Sequence, residues 1–470
     1  MGKQEPLAGS CNATKAKAKA IDTDGPDFII LRLSKPGAFF LLLLSFATIV
    51  YIRLGYLPYL AGAPHRAPVA RNPWKGLAAH CEATQPIPQS ELLQRQLRLA
   101  QTLHELNASA YIAEPGANAL FFGNISDSSW HLSERPLLLM ISPLVNDGEV
   151  SAKVTVLTPY FEETRAKLLN VPGADVTFVA WREDDDPYTV GVNALPSPSG
   201  GPIYVDGMIR HFIVDGFQKA VPEVDVLSAP LEITSLRERK SPAEIALLKC
   251  VNEVTVLAIR AVQAQMYIGM HESQVIAMVD DALAAAGLTE RWALVLFGEN
   301  AALPHGTGTD RVLGISDLIL IDAGGVLFGY HSDVTRTFHL AESQIPKDHL
   351  KLWWDVHAAQ TAAQATAGAG VITSDVDKAA RTELTGRGLG RYFTHRLGHG
   401  IGLEDHEAPY LRGGSDDIIE TGHAFSNEPG VYIEGKVGIR LEDCFYIDED
   451  GDAVYLTAGV GGQAIDPLNP

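Results

Sequence analysis

Cysteine is scarce in this sequence. Its 470 residues hold four, Cys11, Cys81, Cys250 and Cys444. They form no CxxC pair and no regular spacing, so neither a thiolate zinc knuckle nor a disulfide framework is expected, and at most one bridge can form beyond residue 60. Cationic residues are in deficit too. The 37 Lys and Arg against 57 Asp and Glu give a formal net charge of −20, which argues against nucleic acid as a partner because phosphate binding calls for a basic face. No glycine fingerprint follows the first strand-like run, and no nucleophile sits at a sharp turn between strand and helix. What is present is ordinary globular texture, 46% hydrophobic and 20% charged, on a chain long enough for two or three domains.

Residues 1–36 are polar, include "KAKAKA", and read as a disordered tail. The run "GAFFLLLLSFATIVYI" (37–52) carries no charge and extends to Leu60 if Arg53 snorkels to the interface, with Tyr51, Tyr56 and Tyr59 as interfacial anchors. Residues 37–60 are therefore expected to be a transmembrane signal anchor, giving a single-pass membrane protein with a lumenal or extracellular catalytic domain. The alternative is a secreted form cleaved at Ala61-Gly62-Ala63. Asn107-Ala108-Ser109 and Asn124-Ile125-Ser126 would then be glycosylation acceptors. Residues 61–85, opening "AGAPHRAPVARNPW", read as a linker.

From residue 86 the pattern changes. "SELLQRQLRLAQTLHELN" places Leu93, Leu97, Ala100, Leu103 and Leu106 at helical spacing, and apolar runs at 136–143, 153–161, 175–181 and 202–207 read as strands separated in part by helices. Residues 86–235 are thus an α/β domain without evident chemistry, suited to covering a site or to forming a homodimer. A second domain, 236–470, begins with a helix whose N-cap is Ser241, with Pro242 at its first position and Glu244 closing a capping box. Ile245, Leu248, Val251 and Val254 make its buried stripe. A second helix ends at Gly287, and two more are expected near 346–368 and 374–387.

The chemistry-bearing residues lie in the β-rich parts of this second domain. In "DLILIDAGGVLFGYHSDVTRTFHL" (317–340) an apolar strand ends at Asp322, glycines turn the chain, and a return strand carries Asp333. "HAFSNEPGVYIEGKVGIRLEDCFYID" (423–448) repeats the device with Glu428 and Glu442. Ionised carboxylates inside apolar strands need compensating cations. Arg336 and Arg440 could serve for single residues, but four carboxylates plus the glycine-flanked His399 form a hard, oxygen-rich set suited to a pair of Mn²⁺-like ions.

These motifs resemble the pita-bread metallopeptidases, the family of aminopeptidase P, prolidase, methionine aminopeptidase and creatinase. "LIDAGGVLFGYHSDVTRTF", "HRLGHGIGL", "SNEPGVYI" and "GIRLED" carry the likeness. It implies an α+β chain with a C-terminal pita-bread fold, an antiparallel sheet covered by helices, behind a creatinase-type N-terminal domain. It implies Asp322, Asp333, His399, Glu428 and Glu442 as ligands of two divalent metal ions, most readily Mn²⁺. It further implies that Glu428 transfers protons, that His406 steadies the tetrahedral intermediate, and that His305 is an active-site histidine. His395 and Arg440 would lie at the substrate. The implied activity is hydrolysis of Xaa-Pro bonds in proline-containing peptides or dipeptides by a hydroxide bridging the two ions, with a creatinase-like C–N hydrolase or a binding module without catalysis as the alternative. Glu404, Asp405 and Glu407 are left with supporting or solvent-facing places.

Overall fold

A computed structural model describes residues 72–173, 175–196 and 200–470. The N-terminal lobe is a six-stranded mixed sheet, ordered β4-β3-β2-β1-β5-β6. Its strands are β1 (Ala110–Ala113), β2 (Leu138–Asn146), β3 (Glu149–Pro159), β4 (Thr177–Trp181), β5 (Ile203–Val205) and β6 (Val226–Ser228). The helix Gln89–Glu105 packs on it, but not by the stripe read from its leucines. Leu93 and Leu97 are 41% and 38% exposed, while Leu92, Arg95, Gln96, Leu99, Ala100 and Leu103 are buried.

The reason lies in two polar residues on the inner face. Gln96 donates to the carbonyls of Phe122 and Pro172 at 2.8 and 3.0 Å. Arg95 donates to Glu91 at 2.6 Å and to the Tyr330 hydroxyl at 3.4 Å, lies 3.2 Å from Glu244, and stacks over Phe121. An apolar-only pattern shifts to the neighbouring stripe because these buried polar groups are satisfied by partners distant in sequence. Arg95 also ties the two lobes together. Glu244 belongs to the helix Pro242–Gln263, where Ser241 and Glu244 form the expected capping box. One apolar cluster runs through both lobes, from Leu99, Tyr111 and Phe121 to Leu248, Tyr330, Ile401 and Leu403.

In the C-terminal lobe β7 (Thr289–Phe297), β8 (Ile319–Leu327) and β9 (Tyr330–Phe338) form an antiparallel sheet. The helices Pro242–Gln263 and Glu272–Ala285 cover one face of it, against Ile319, Ile321, Ala323 and Val334. Strand alternation then turns Leu320, Asp322, Asp333 and Thr335 to the other face. A second sheet, ordered β11-β10-β12-β15-β16, contains β10 (Gly398–Gly400), β11 (Glu407–Leu411), β12 (Ala424–Asn427), β15 (Asp443–Ile447) and β16 (Ala453–Tyr455). The hairpin β13 (Gly430–Ile433) and β14 (Val437–Arg440) rises between β12 and β15. Helices Lys347–Thr366 and Thr373–Gly386 pack with this half.

Three expectations change. Residues 72–85, read as part of a linker, contain the helix Leu77–His80, and Cys81 is disulfide-bonded to Cys250. His80 pairs with Glu253 at 2.8 Å, which holds this segment on the helix Pro242–Gln263. The single-pass membrane placement with a lumenal or extracellular catalytic domain is not upheld. Among the described residues no helix is long and apolar enough to cross a membrane, and 37–60 lies outside the described residues. Glycosylation gains no support either. The Ser109 hydroxyl is buried and donates to the Gly201 carbonyl, and the Asn124 amide donates to that of Asn170.

Candidate metal centre and active site

The two aspartates are set by strand register. Asp322 pairs with Thr335 and Gly324 pairs with Asp333 across β8 and β9, so Asp322 and Asp333 are diagonal neighbours on one face. The turn is at Phe328–Gly329, both at positive φ, and not at the earlier glycines. Gly324 stays within β8 because a Cβ there would meet the Ser332 carbonyl and the Trp292 ring. The glutamates sit where chain leaves one sheet for another. Glu428 lies between β12 and β13, Glu442 between β14 and β15. The Glu442 amide donates to the Thr335 carbonyl at 3.0 Å, and the Thr335 hydroxyl donates to the Glu442 carboxylate at 2.7 Å. That pair of bonds locks the second carboxylate device against the first. Arg336 supports it from below, donating to the Glu442 carbonyl at 2.5 Å and to Asp443 at 2.7 Å.

His399 arrives from β10. Its flanking Gly398 leaves room for the Ser426 carbonyl of β12, which a Cβ would strike at 2.0 Å. The Gly400 carbonyl, which can only accept, lies 3.1 Å from Nδ1. Nδ1 therefore carries the proton and Nε2 is free to bind a cation. Nε2 lies 3.4 Å from Glu428 and 3.5 Å from Asp333, yet it has no hydrogen-bond partner. Asp322 Oδ1 and Glu442 Oε1 are likewise buried without partners. Donor atoms of His399, Glu428 and Glu442, and of Asp322, Asp333 and Glu442, lie within 4.8 Å of one another.

Electrostatics point the same way. Burial, then the neighbouring Asp405, Asp322 and Glu428, pushes Asp333 well above the usual carboxylate range. Burial, then Asp333 and Glu428, does the same to Glu442. Burial also pushes Glu428 upward, but His399, His395 and Arg440 together outweigh it and hold Glu428 at about 2. Convergent carboxylates and an imidazole lone pair, with buried oxygens left bare, are the donor set of a divalent cation site. The residues fit the metals expected of them.

Around this centre stand the other expected residues. Arg440 is buried, and Nη2 donates to Asp322 at 2.5 Å, Nε to Thr335 at 3.0 Å and Nη1 to the Tyr432 hydroxyl at 3.2 Å. The Tyr432 hydroxyl continues to His395 Nε2 at 2.8 Å, and His395 Nδ1 to the Arg396 carbonyl at 2.7 Å. Since that carbonyl only accepts, Nδ1 holds the proton and Nε2 accepts from Tyr432. His406 meets His399 edge-on, ring centroids 4.0 Å apart. Burial, then His399 and Arg396, depresses His406 to about 4, so it is a neutral imidazole near pH 7. His305 is exposed and lies within electrostatic reach of His395 and His406.

The profile of metallopeptidase family M24 matches residues 246–449. An uncharacterized peptidase of Schizosaccharomyces pombe is 39% identical over 365 residues, covering 76% of this chain and 79% of the relative. The chain belongs to metallopeptidase family M24. A probable dipeptidase PepE of Mycobacterium bovis is 34% identical over 273 residues, 58% of this chain and 72% of that one. Among solved structures, the dipeptidase PepE of Mycobacterium ulcerans superposes with a TM-score of 0.71 at 28% identity, covering 82% of this chain and 99% of the other. The X-Pro aminopeptidase of Thermotoga maritima gives 0.63 at 25% identity, covering 76% and 97%. The pita-bread fold of the M24 family is therefore the fold of the catalytic lobe.

In this M24 chain the sequence reading missed several residues of the site. Thr335 and Tyr432 lie inside the quoted motifs, but their contacts emerge only from register and packing. Glu407 and Glu404 are not solvent decoration. Lys240 donates to Glu407 at 2.7 Å in a buried pair, and Arg237 pairs with Glu404, so the loop carrying His406 is pinned by the segment just ahead of the helix Pro242–Gln263. Asp405, between them, faces inward toward Asp322, Asp333 and Glu428. Only its place among three acidic residues beside His406 could have signalled this.

Proposed function

We propose that this M24 member hydrolyses the bond between an N-terminal residue and proline, in dipeptides or at the start of longer peptides, with two divalent metal ions, Mn²⁺ being the best chemical match. The observation that carries this reading is the set of unpartnered, inward-facing donor atoms of Asp322, His399 and Glu442, assembled with Asp333 and Glu428. Its structural relatives, a dipeptidase and an X-Pro aminopeptidase, support the substrate class.

When bound, cations held by these five residues would acidify water and polarise the scissile carbonyl. Glu428, facing His399, takes a proton from the attacking water and passes it to the leaving imino nitrogen. His406, neutral at working pH, donates to the carbonyl oxygen as it gains charge, a contact stronger in the transition state than in the ground state. His395, oriented by Tyr432, and the exposed His305 contact substrate. Arg440 acts through Asp322 and Tyr432, to which it is bonded.

The test compares an Xaa-Pro dipeptide, an Xaa-Pro-Xaa tripeptide and an Xaa-Ala dipeptide, with and without Mn²⁺. Metal-dependent cleavage confined to the proline substrates is expected, and the ratio of the first two separates a dipeptidase from an aminopeptidase. A protein that binds no stoichiometric metal, or that cleaves none of the three, refutes the reading.

A further inference from the structure

Asp405 has no part in the chemistry above, yet its position requires a partner. Its two acidic neighbours along the chain are matched by cations, Glu404 by Arg237 and Glu407 by Lys240. Asp405 forms no ion pair among the described residues, and its Oδ1 is sealed from solvent with no hydrogen-bond donor. A buried carboxylate oxygen without a donor is costly and calls for an explanation. Lys or Arg does not supply one. The groups that face Asp405 are His399, Asp322, Asp333 and Glu428, all of the metal centre. Asp405 belongs to none of the sets of donor atoms that converge there within 4.8 Å of one another, and it sits on the loop that also carries His406.

We propose that Asp405 receives a cationic nitrogen of the substrate's N-terminal residue. This rests on the peptidase reading and deepens it into a specificity rule. Two nitrogens have the required chemistry, the free α-ammonium and the side-chain cation of an N-terminal Lys or Arg. Either enters a region where the field favours positive charge, and either satisfies the bare oxygen only when substrate is bound, which is how a site rejects analogues lacking the group.

The experiment uses the Mn²⁺-loaded enzyme and its Asp405→Asn variant with Ala-Pro, Arg-Pro and propionyl-proline, which lacks the amine. Kinetics are read together with metal content. The variant is expected to keep its metal and to lose about tenfold or more in kcat/KM, mainly through KM. Equal losses on Ala-Pro and Arg-Pro, with propionyl-proline unaffected, identify the α-ammonium. A loss confined to Arg-Pro identifies the side chain. Unchanged kinetics on all three, an equal fall on propionyl-proline, or loss of bound metal overturns the proposal, the last making Asp405 a ligand. Wild-type silence on every dipeptide defeats the peptidase reading and this inference with it, whereas an active wild type with an indifferent variant defeats this inference alone.

Discussion

The guanidinium of Arg440 lies 2.5 Å from the Asp322 carboxylate, so an arginine expected at the substrate is bonded to a residue of the metal centre. A side chain that orients a ligand acts on metal affinity and turnover together, typically by 10–100-fold. Arg440→Met is therefore expected to lower Mn²⁺ affinity and kcat by about 10-fold or more. A rise in KM with kcat and metal content unchanged would instead place Arg440 directly on substrate.

Asp333 sits among the carboxylates of the centre, and its charge is unfavourable there without a cation. Asp333→Asn should abolish turnover and reduce bound metal. In the metal-free state the same change removes repulsion, so its melting temperature should equal or exceed that of the metal-free parent. Retained activity would remove Asp333 from the site, and a lower metal-free melting temperature would mean that the carboxylate is a structural acceptor.

His406 offers a neutral imidazole edge-on to His399. Loss of a donor to a developing oxyanion costs about 10² in kcat or more, and His406→Ala should show that loss with KM little altered. A change in KM alone would make His406 a substrate contact only.

How far the sequence reached can be read from particular residues. Asp322, Asp333, His399, Glu428 and Glu442 could be chosen because four carboxylates in apolar surroundings beside a glycine-flanked histidine are anomalous as a set, and because the motifs around them resemble a known family. The capping box at Ser241 and Glu244 was legible for a similar reason, since its signal is local. The partners were not. Arg95 reaches Tyr330 across 235 residues, Lys240 reaches Glu407 across 167, Thr335 reaches Glu442 across 107 and Tyr432 reaches His395 across 37, and nothing in their immediate sequence names these partners. Alternation told which strands exist, but not that Glu428 and Glu442 occupy the breaks where chain leaves one sheet for another. The disulfide between Cys81 and Cys250 spans a separation of 169 residues, and spacing alone gave no reason to choose it.

Arg95 tests how the lobes are joined. It is buried with Glu91, Glu244 and the Tyr330 hydroxyl around it. Removing one member of a buried ion pair typically costs about 3–5 kcal/mol because the partner charge is stranded. Arg95→Met should destabilise by about 3 kcal/mol, read from denaturant midpoints, and Glu244→Gln in the same chain should recover part of it. An Arg95→Met midpoint equal to the parent's would show that the apolar cluster alone holds the lobes.

Removing the metal should make stability depend on pH in a defined direction. Burial and crowding raise Asp333 and Glu442 above the usual carboxylate range, and burial, with Asp322 and Glu428, raises Asp405 to about 6. For His399 burial lowers the imidazole, but Glu428, Glu442 and the Gly400 carbonyl together outweigh it and raise it too. A group whose folded pKa is raised contributes stability that is fully present below its unfolded pKa, about 4 for a carboxylate and about 6.5 for histidine, and that is lost as pH rises through the folded value. Glu428 has the opposite sign, but its contribution changes only between about 2 and the ordinary glutamate value. The four raised groups share one sign and act in succession, Asp405 between about 4 and about 6, His399 above about 6.5, and Asp333 and Glu442 from about 4 upward. The chelator-treated protein should melt at progressively lower temperature from about pH 5 to about pH 8, while the Mn²⁺-loaded protein should not fall in parallel. Metal binding should also eject protons, so its calorimetric heat should vary with the ionisation enthalpy of the buffer. A metal-free melting temperature that is flat across this window, with a heat independent of buffer, would mean that these carboxylates do not share one uncompensated centre.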